Sequence, residues 1–252
     1  MFTRSREEID KIRESAQLVA MTLREMGRNV RPGITTAELD RIAESFIRDH
    51  GARPAFKGYR GFPASICPSV NEEVVHGIPG PRELREGDII GIDVGVEKGG
   101  FYGDAALSFA VGEVSDEARR LLDVTRESLM QGISQARPGN RVGDISNAVQ
   151  SYVERQGFSV VRALVGHGIG REMHEEPAVP NFGPAGRGPR LMTGLVLAIE
   201  PMVNTGGYDV ITRSDGWTVA TKDGGLSAHF EHTVAVGPDG PEILSVLPDE
   251  EN

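Results

Sequence analysis

The sequence predicts a single α+β domain, with two similar halves joining their strands in one curved sheet and helices covering its outer face. Three observations predict it: an internal duplication, a helical repeat of apolar residues in each copy, and a Gly- and β-former-rich stretch after each helix pair. The domain spans residues 1–252, with halves at about 1–114 and 115–252.

The first helix is expected over residues 6–26, where Ile9, Ile12, Ala16, Val19, Leu23 and Met26 recur at steps of three and four. Ser5 and Glu8 have the spacing of a capping box at its start. Residues 31–51 (RPGITTAELDRIAESFIRDHG) predict a second, shorter helix introduced by a Pro-Gly turn and stopped by Gly51. Residues 116–136 and 137–157 repeat this arrangement. Leu122, Thr125, Leu129, Ile133 and Ala136 form one stripe, and RPGNRVGDISNAVQSYVERQG runs from Arg-Pro-Gly to Gly157. Leu39 corresponds to Ile145, Phe46 to Tyr152 and Ile47 to Val153. Beyond each pair, VVHGIPG (74–80) echoes VGHGIGR (165–171) and LREGDIIGIDVG (84–95) echoes LMTGLVLAIEPM (191–202). GDAALSFAVG (103–112) echoes FEHTVAVG (230–237). Four echoes in the same order argue for a duplicated helix–helix–sheet unit. PNFGPAGRGPR (180–190) reads as a loop.

Composition narrows the function classes. A net charge of −10 disfavours general affinity for nucleic acid. No apolar run approaches a membrane span, and the N-terminal segment lacks the features of a secretory signal. Cys67 is the sole cysteine, which excludes an internal disulfide and a cysteine-based zinc site. A cytoplasmic location is therefore expected. The charges near the N-terminus read as a solvated helix face. Ribosome docking through a local basic patch is compatible with them but not required.

The duplicated frame places four carboxylates against apolar, strand-like runs: Asp93 with Glu200, and Asp104 with Glu231. EKGG, between the two aspartates, signals a hairpin. With Lys98 and Gly99 as its two-residue loop, Asp93 is expected directly opposite Asp104, their Cβ atoms ~5 Å apart. Like charges that close repel unless a cation lies between them. One such carboxylate is ordinarily a solvated strand end; four in equivalent places, with no Lys or Arg in these strands to pair them, point to metal ions. His76, His167 and His174 flank the same strands, and imidazole with carboxylate suits Zn, Mn, Fe or Co. His50 and His232 read as structural, while His229 stands evenly between the surface and a supporting position.

At this point the sequence resembles the type I methionine aminopeptidases of the pita-bread fold. The likeness runs over nearly the whole chain and is densest in GYRGFPASICPSVNEEVVHGIP (58–79), GDIIGIDVGVEKGGFYGDAALSFAVG (87–112), GHGIGREMHEEP (166–177), LAIEPM (197–202) and DGWTVATKDGGLSAHFEHTVAV (215–236). It implies pseudo-twofold halves with a curved antiparallel sheet, and two divalent ions (Mn, Fe, Co or Zn) on Asp93, Asp104, His167, Glu200 and Glu231. It implies Glu200 as general base, His174 on the scissile carbonyl and His76 on the peptide amide. Tyr59, Phe62, Cys67, Met173 and Trp217 are the implied methionine pocket, and a thioether suits aromatic and sulfur neighbours. Asn71 and Ser227 match positions that help hold a monovalent cation. The implied substrate is the N-terminus of a nascent polypeptide beginning with Met and followed by a small residue, and the implied state is a monomer. Phe56, Arg60 and Met173 depart from the pattern of well-known bacterial members, which bears on pocket shape.

Three rival readings fit the sequence less well. X-Pro aminopeptidases and dipeptidases of the same fold usually carry an additional N-terminal domain and lack FPASICPSVNEEVVHG. A type II methionine aminopeptidase needs a long insertion between the last two carboxylates, which Glu200 and Glu231 are too close in sequence to hold. A non-catalytic peptide-binding homologue is expected to lose metal ligands, and all five are present.

Overall fold

The computed structural model describes residues 2–247. Helix α1 spans Arg6–Asn29, with Ser5 and Glu8 making the predicted capping box, and α2 spans Thr36–Asp49, with a second box from Thr35 and Glu38. Helices α3 (Asp116–Ser134) and α4 (Val142–Arg155) repeat the pair. Gly51 and Gly157 follow the two shorter helices with φ of 71° and 81°, the left-handed conformation expected of a C-terminal stop. None of these helices is long and apolar enough to cross a membrane.

In the first half, strand Ile89–Lys98 is central. Phe101–Ala110 runs antiparallel along one edge, while Ile66–Val70 and Arg53–Pro54 share the other. In the second half the order is Pro241–Ile243, His232–Val236, Val196–Ile199, Gly166–Gly168, Glu175–Val179. Two three-stranded sheets flank these, one of them carrying Ser227–His229 and the other pairing Val219–Thr221 with Glu73–Val75. The two halves meet at a seam, a bridge between Ala106 and Glu231. Beside it the Thr233 hydroxyl accepts from the Asp104 N–H and donates to the Asp104 carbonyl.

The helices bury their apolar stripes on these sheets in two principal clusters. One gathers Leu23, Met26, Leu39, Ile47, Ile90 and Ile92; the other gathers Leu121, Leu129, Ile145, Val149, Leu197 and Ile199. Each fully buried aliphatic side chain is worth roughly 1.5–3 kcal/mol relative to exposure. Gly103 lets α1 lie directly on the hairpin, since a Cβ there would stand 2.4 Å from the backbone nitrogen of Ala16.

The hairpin departs from the predicted register. Its loop is Gly99–Gly100, with φ of 59° and 82°, so Lys98 pairs with Phe101, Gly95 with Asp104 and Asp93 with Ala106. A two-residue turn with positive φ at both positions favours two glycines over Lys-Gly. The slip is two residues, an even number, so both aspartates stay on one face of the sheet as diagonal neighbours rather than a direct pair.

Candidate metal centre and substrate pocket

Four elements converge on the seam. Asp93 and Asp104 project from the hairpin, Glu200 follows strand Val196–Ile199, and Glu231 precedes strand His232–Val236. His167 comes from Gly166–Gly168, where glycine is required for the approach: a Cβ on Gly166 would meet the Ala198 carbonyl oxygen at 2.3 Å and Glu200 Cγ at 3.3 Å. His167 Nδ1 lies 2.9 Å from the Gly168 carbonyl, which fixes Nδ1 as the donor and leaves Nε2 free. That Nε2 lies 3.6 Å from Glu200 Oε1 and 3.9 Å from Asp104 Oδ2.

The electrostatics are those of a site built around positive charge. Burial raises Asp93 to about 7. Burial, reinforced by the neighbouring carboxylates, holds Asp104, Glu200 and Glu231 well above their ordinary range. Asp93 Oδ1, Asp104 Oδ1 and Glu231 Oε1 are buried with no hydrogen-bond partner. Buried carboxylate oxygens rarely go unpaired. Asp104, His167 and Glu231 form one group able to hold a metal ion; Glu200, His229 and Glu231 form another. The donor set therefore fits a metal.

A cavity of about 150 Å³ opens onto these carboxylates. Phe56, Tyr59, Phe62, Cys67 and Trp217 make its apolar side, and His76, His174 and Arg60 stand around it. Trp217 packs edge-on against Phe62, with ring centres 5.2 Å apart. His76 has a φ of 59°, and burial lowers its pKa. His174 lies at the exposed rim, its ring stacked 5.4 Å from Tyr59 and its Nδ1 3.0 Å from the Tyr59 hydroxyl. Desolvation against the wall pulls its pKa down to about 3, helped by His167, Arg60 and His76.

The structure brings nearly all of the residues singled out in the sequence to this cavity, with two differences. Met173 belongs to the apolar cluster but does not line the cavity. It and Phe56 both press on Gly95, where a Cβ would meet them at 2.9 Å and 2.6 Å, and of the two Phe56 lines the cavity. Arg60 enters the lining because Gly58 and Gly61, both at positive φ, fold its turn over the cavity mouth. His229, for which the sequence leaves the surface and a supporting position open, is buried beside Glu200 and Glu231. Asn71 and Ser227 are neighbours, the Ser227 N–H donating to the Asn71 carbonyl. The Asn71 amide is committed to Asp88 and to the Ile89 N–H.

Residues 10–238 match metallopeptidase family M24. This chain belongs to that family. Among its members, the chain is 59% identical over 247 residues to a methionine aminopeptidase of Clostridium perfringens, covering 98% of this chain and 99% of the relative. It is 54% identical to methionine aminopeptidase 1 of Bacillus subtilis over 238 residues, covering 94% and 96%. The crystal structure of methionine aminopeptidase from Rickettsia prowazekii superposes with a TM-score of 0.96 at 44% identity, covering 98% of this chain and all of that one. An Xaa-Pro dipeptidase from Bacillus anthracis shares the fold at a TM-score of 0.78, with 21% identity and only 62% of its length covered. The M24 match is to a metallopeptidase family, the carboxylate–histidine cluster could hold a metal ion, and the fold is the α+β pita-bread architecture of those neighbours.

Proposed function

We propose that this M24 metallopeptidase removes the N-terminal methionine from polypeptides whose second residue is small, using two divalent ions held by Asp93, Asp104, His167, Glu200 and Glu231. The observation that carries this reading is a short apolar cavity whose polar wall is the buried carboxylate cluster. A methionine side chain fits among Phe62, Cys67 and Trp217, and the α-amine then falls among carboxylates. A chain extending in both directions does not fit such an end-on pocket, which accounts for exopeptidase action.

Bound divalent ions supply Lewis-acid polarisation of the scissile carbonyl and a water acidic enough to lose its proton near neutrality. The chain's own groups do the rest. Glu200 is the base that takes the proton of the attacking water and returns it to the leaving nitrogen. His174 is neutral at working pH. With the Tyr59 hydroxyl donating to its Nδ1, Nε2 carries the hydrogen and donates it to the carbonyl oxygen as negative charge develops there. His76, also neutral, holds the amide nitrogen in place. Tyr59, His76 and His174 crowd the exit from the cavity, which disfavours bulky second residues. A monovalent cation beside Asn71 and Ser227 would have to use backbone carbonyls, because the Asn71 amide is already engaged.

The test is hydrolysis of Met-Ala-Ser, Met-Leu-Ser and an X-Pro tripeptide by protein stripped with chelator and reloaded with Mn, Co, Fe or Zn. Metal-dependent release of methionine from Met-Ala-Ser, with little from the other two, is expected. Cleavage of the X-Pro peptide alone would overturn the substrate assignment, and inactivity with every metal would overturn the enzymatic one.

A further inference from the structure

Among the described residues, three other than glycine take positive φ: Arg60, Asn71 and His76. Asn and His are enriched in that region of backbone space; a long-chain arginine is not. Arg60 holds φ 50° and ψ 22° between Gly58 and Gly61, on a turn at the mouth of the cavity. Backbone held in sparsely populated conformations clusters at binding and catalytic sites. The Arg60 guanidinium lies over the Tyr59 ring, 5.3 Å from its centre, and the Tyr59 hydroxyl is engaged with His174 Nδ1. Nearby cations are satisfied: Lys57 pairs with Glu44, and Arg53 with Glu97. Arg60 has no carboxylate partner among the described residues. The fold therefore holds an exposed guanidinium on an aromatic platform at the cavity mouth and gives it no anion.

We propose that Arg60 reads the third residue of the substrate and selects an aspartate or glutamate there. The inference rests on the methionine-removing reading above. With the methionine side chain on the Phe62 and Trp217 wall, an extended chain turns its second side chain away and its third back to the same side. That side is the turn carrying Phe62 and Arg60 together. The third residue stands roughly 7 Å beyond the first, past the crowded exit. A guanidinium donates two parallel hydrogen bonds to a carboxylate, and one already resting on a ring loses less side-chain freedom in doing so. The chain's net charge of −10 acts in the opposite direction, drawing basic peptides. The sign of the preference thus separates contact with Arg60 from the general field.

The test uses the metal-loaded full chain and three C-terminally amidated peptides: Met-Ala-Glu-Gly-Gly, Met-Ala-Gln-Gly-Gly and Met-Ala-Lys-Gly-Gly. Their kcat/KM values are measured at low and at high salt. The expected order is Glu, then Gln, then Lys, the first exceeding the last by roughly 3- to 10-fold at low salt and by less at high salt. Arg60→Gln is expected to abolish or reverse that order. Arg60→Lys, which keeps the charge without the planar fork, is expected to retain part of it. A glutamate preference that persists in Arg60→Gln would overturn the proposal. So would a wild type that treats the three peptides alike or favours Lys, a result that needs no variant to fold. Failure to release methionine from any of the three would instead defeat the methionine-removing reading, and the proposal with it.

Discussion

The two halves share a plan but deliver their site carboxylates differently. The first half presents Asp93 and Asp104 on one continuous hairpin, two ten-residue strands joined by a two-glycine turn. The second presents Glu200 and Glu231 at strand ends, with Met202–Asn204, Val210–Thr212, Val219–Thr221 and Ser227–His229 inserted between them. That excursion carries Trp217 and His229 to the site. The helices differ in the same sense. Asp40 of α2 accepts from the N–H groups of Ser65 and Ile66, tying helix to strand. Its counterpart Ser146 in α4 spends its hydroxyl on the Val142 carbonyl of its own helix. Carboxylate geometry in the first half therefore rests on local register, whereas in the second it rests on close packing between segments distant in sequence.

The largest effect is expected at the residue that joins the two sides. Glu200→Gln keeps the size of the side chain but removes the base and one carboxylate charge. Turnover of Met-Ala-Ser is expected to fall by about 10³-fold or more, with the fold retained in circular dichroism. Retention of most activity would shift the base to another carboxylate.

A pair of glycine substitutions compares the halves directly. Gly166→Ala places a methyl group 2.3 Å from the Ala198 carbonyl oxygen, so the strand bearing His167 must move away from the strand leading to Glu200. A loss of roughly 1–3 kcal/mol in a urea melt is expected, together with weaker metal binding. Gly99→Ala meets nothing within 4 Å and strains only a φ of 59°. Its loss is expected to be about 1 kcal/mol, with metal affinity unchanged. If calorimetry found metal binding equally weakened in both variants, the first half would not be a self-contained platform for its carboxylates.

This contrast also explains what the sequence could reveal. The helices, the Ser5–Glu8 cap and the stops at Gly51 and Gly157 depend on neighbours within a few residues, so their signals are local and legible. The shared face of Asp93 and Asp104 survived a misplaced turn because strand periodicity is two and the error was even. The turn itself lies one residue later than EKGG suggests, because both of its positions take positive φ, which Gly99 and Gly100 tolerate and Lys98 does not. Met173 behind Phe56, and His229 beside Glu200, depend on packing across the seam and against Gly95. No short-range pattern encodes those contacts. The unusual identity of Phe56 was visible in the sequence, but that it would occupy the inner wall was not.

The smallest effect tests the helix-to-strand tie of Asp40, which among the described residues has no equivalent at Ser146. Burial raises the Asp40 pKa above the ordinary 3.8, while the Ile66 and Ser65 N–H groups act in the opposite direction. A carboxyl whose folded pKa exceeds its unfolded one binds its proton more tightly when folded. Its stabilising contribution is complete below the unfolded value and is lost as pH rises through the folded one. Asp40→Asn keeps an acceptor for both N–H groups without the titration. The melting temperature of the variant relative to wild type is therefore expected to improve as pH rises from 3.8 through the folded pKa, then level off. Asp40→Ala, which strands both N–H groups, is expected to lose about 1–3 kcal/mol at every pH. The acid cluster at the seam is common to wild type and Asn variant, so its own titration cancels in the difference. A flat difference across that window would mean that Asp40 acts only as an acceptor, leaving the tie between α2 and strand Ile66–Val70 independent of charge.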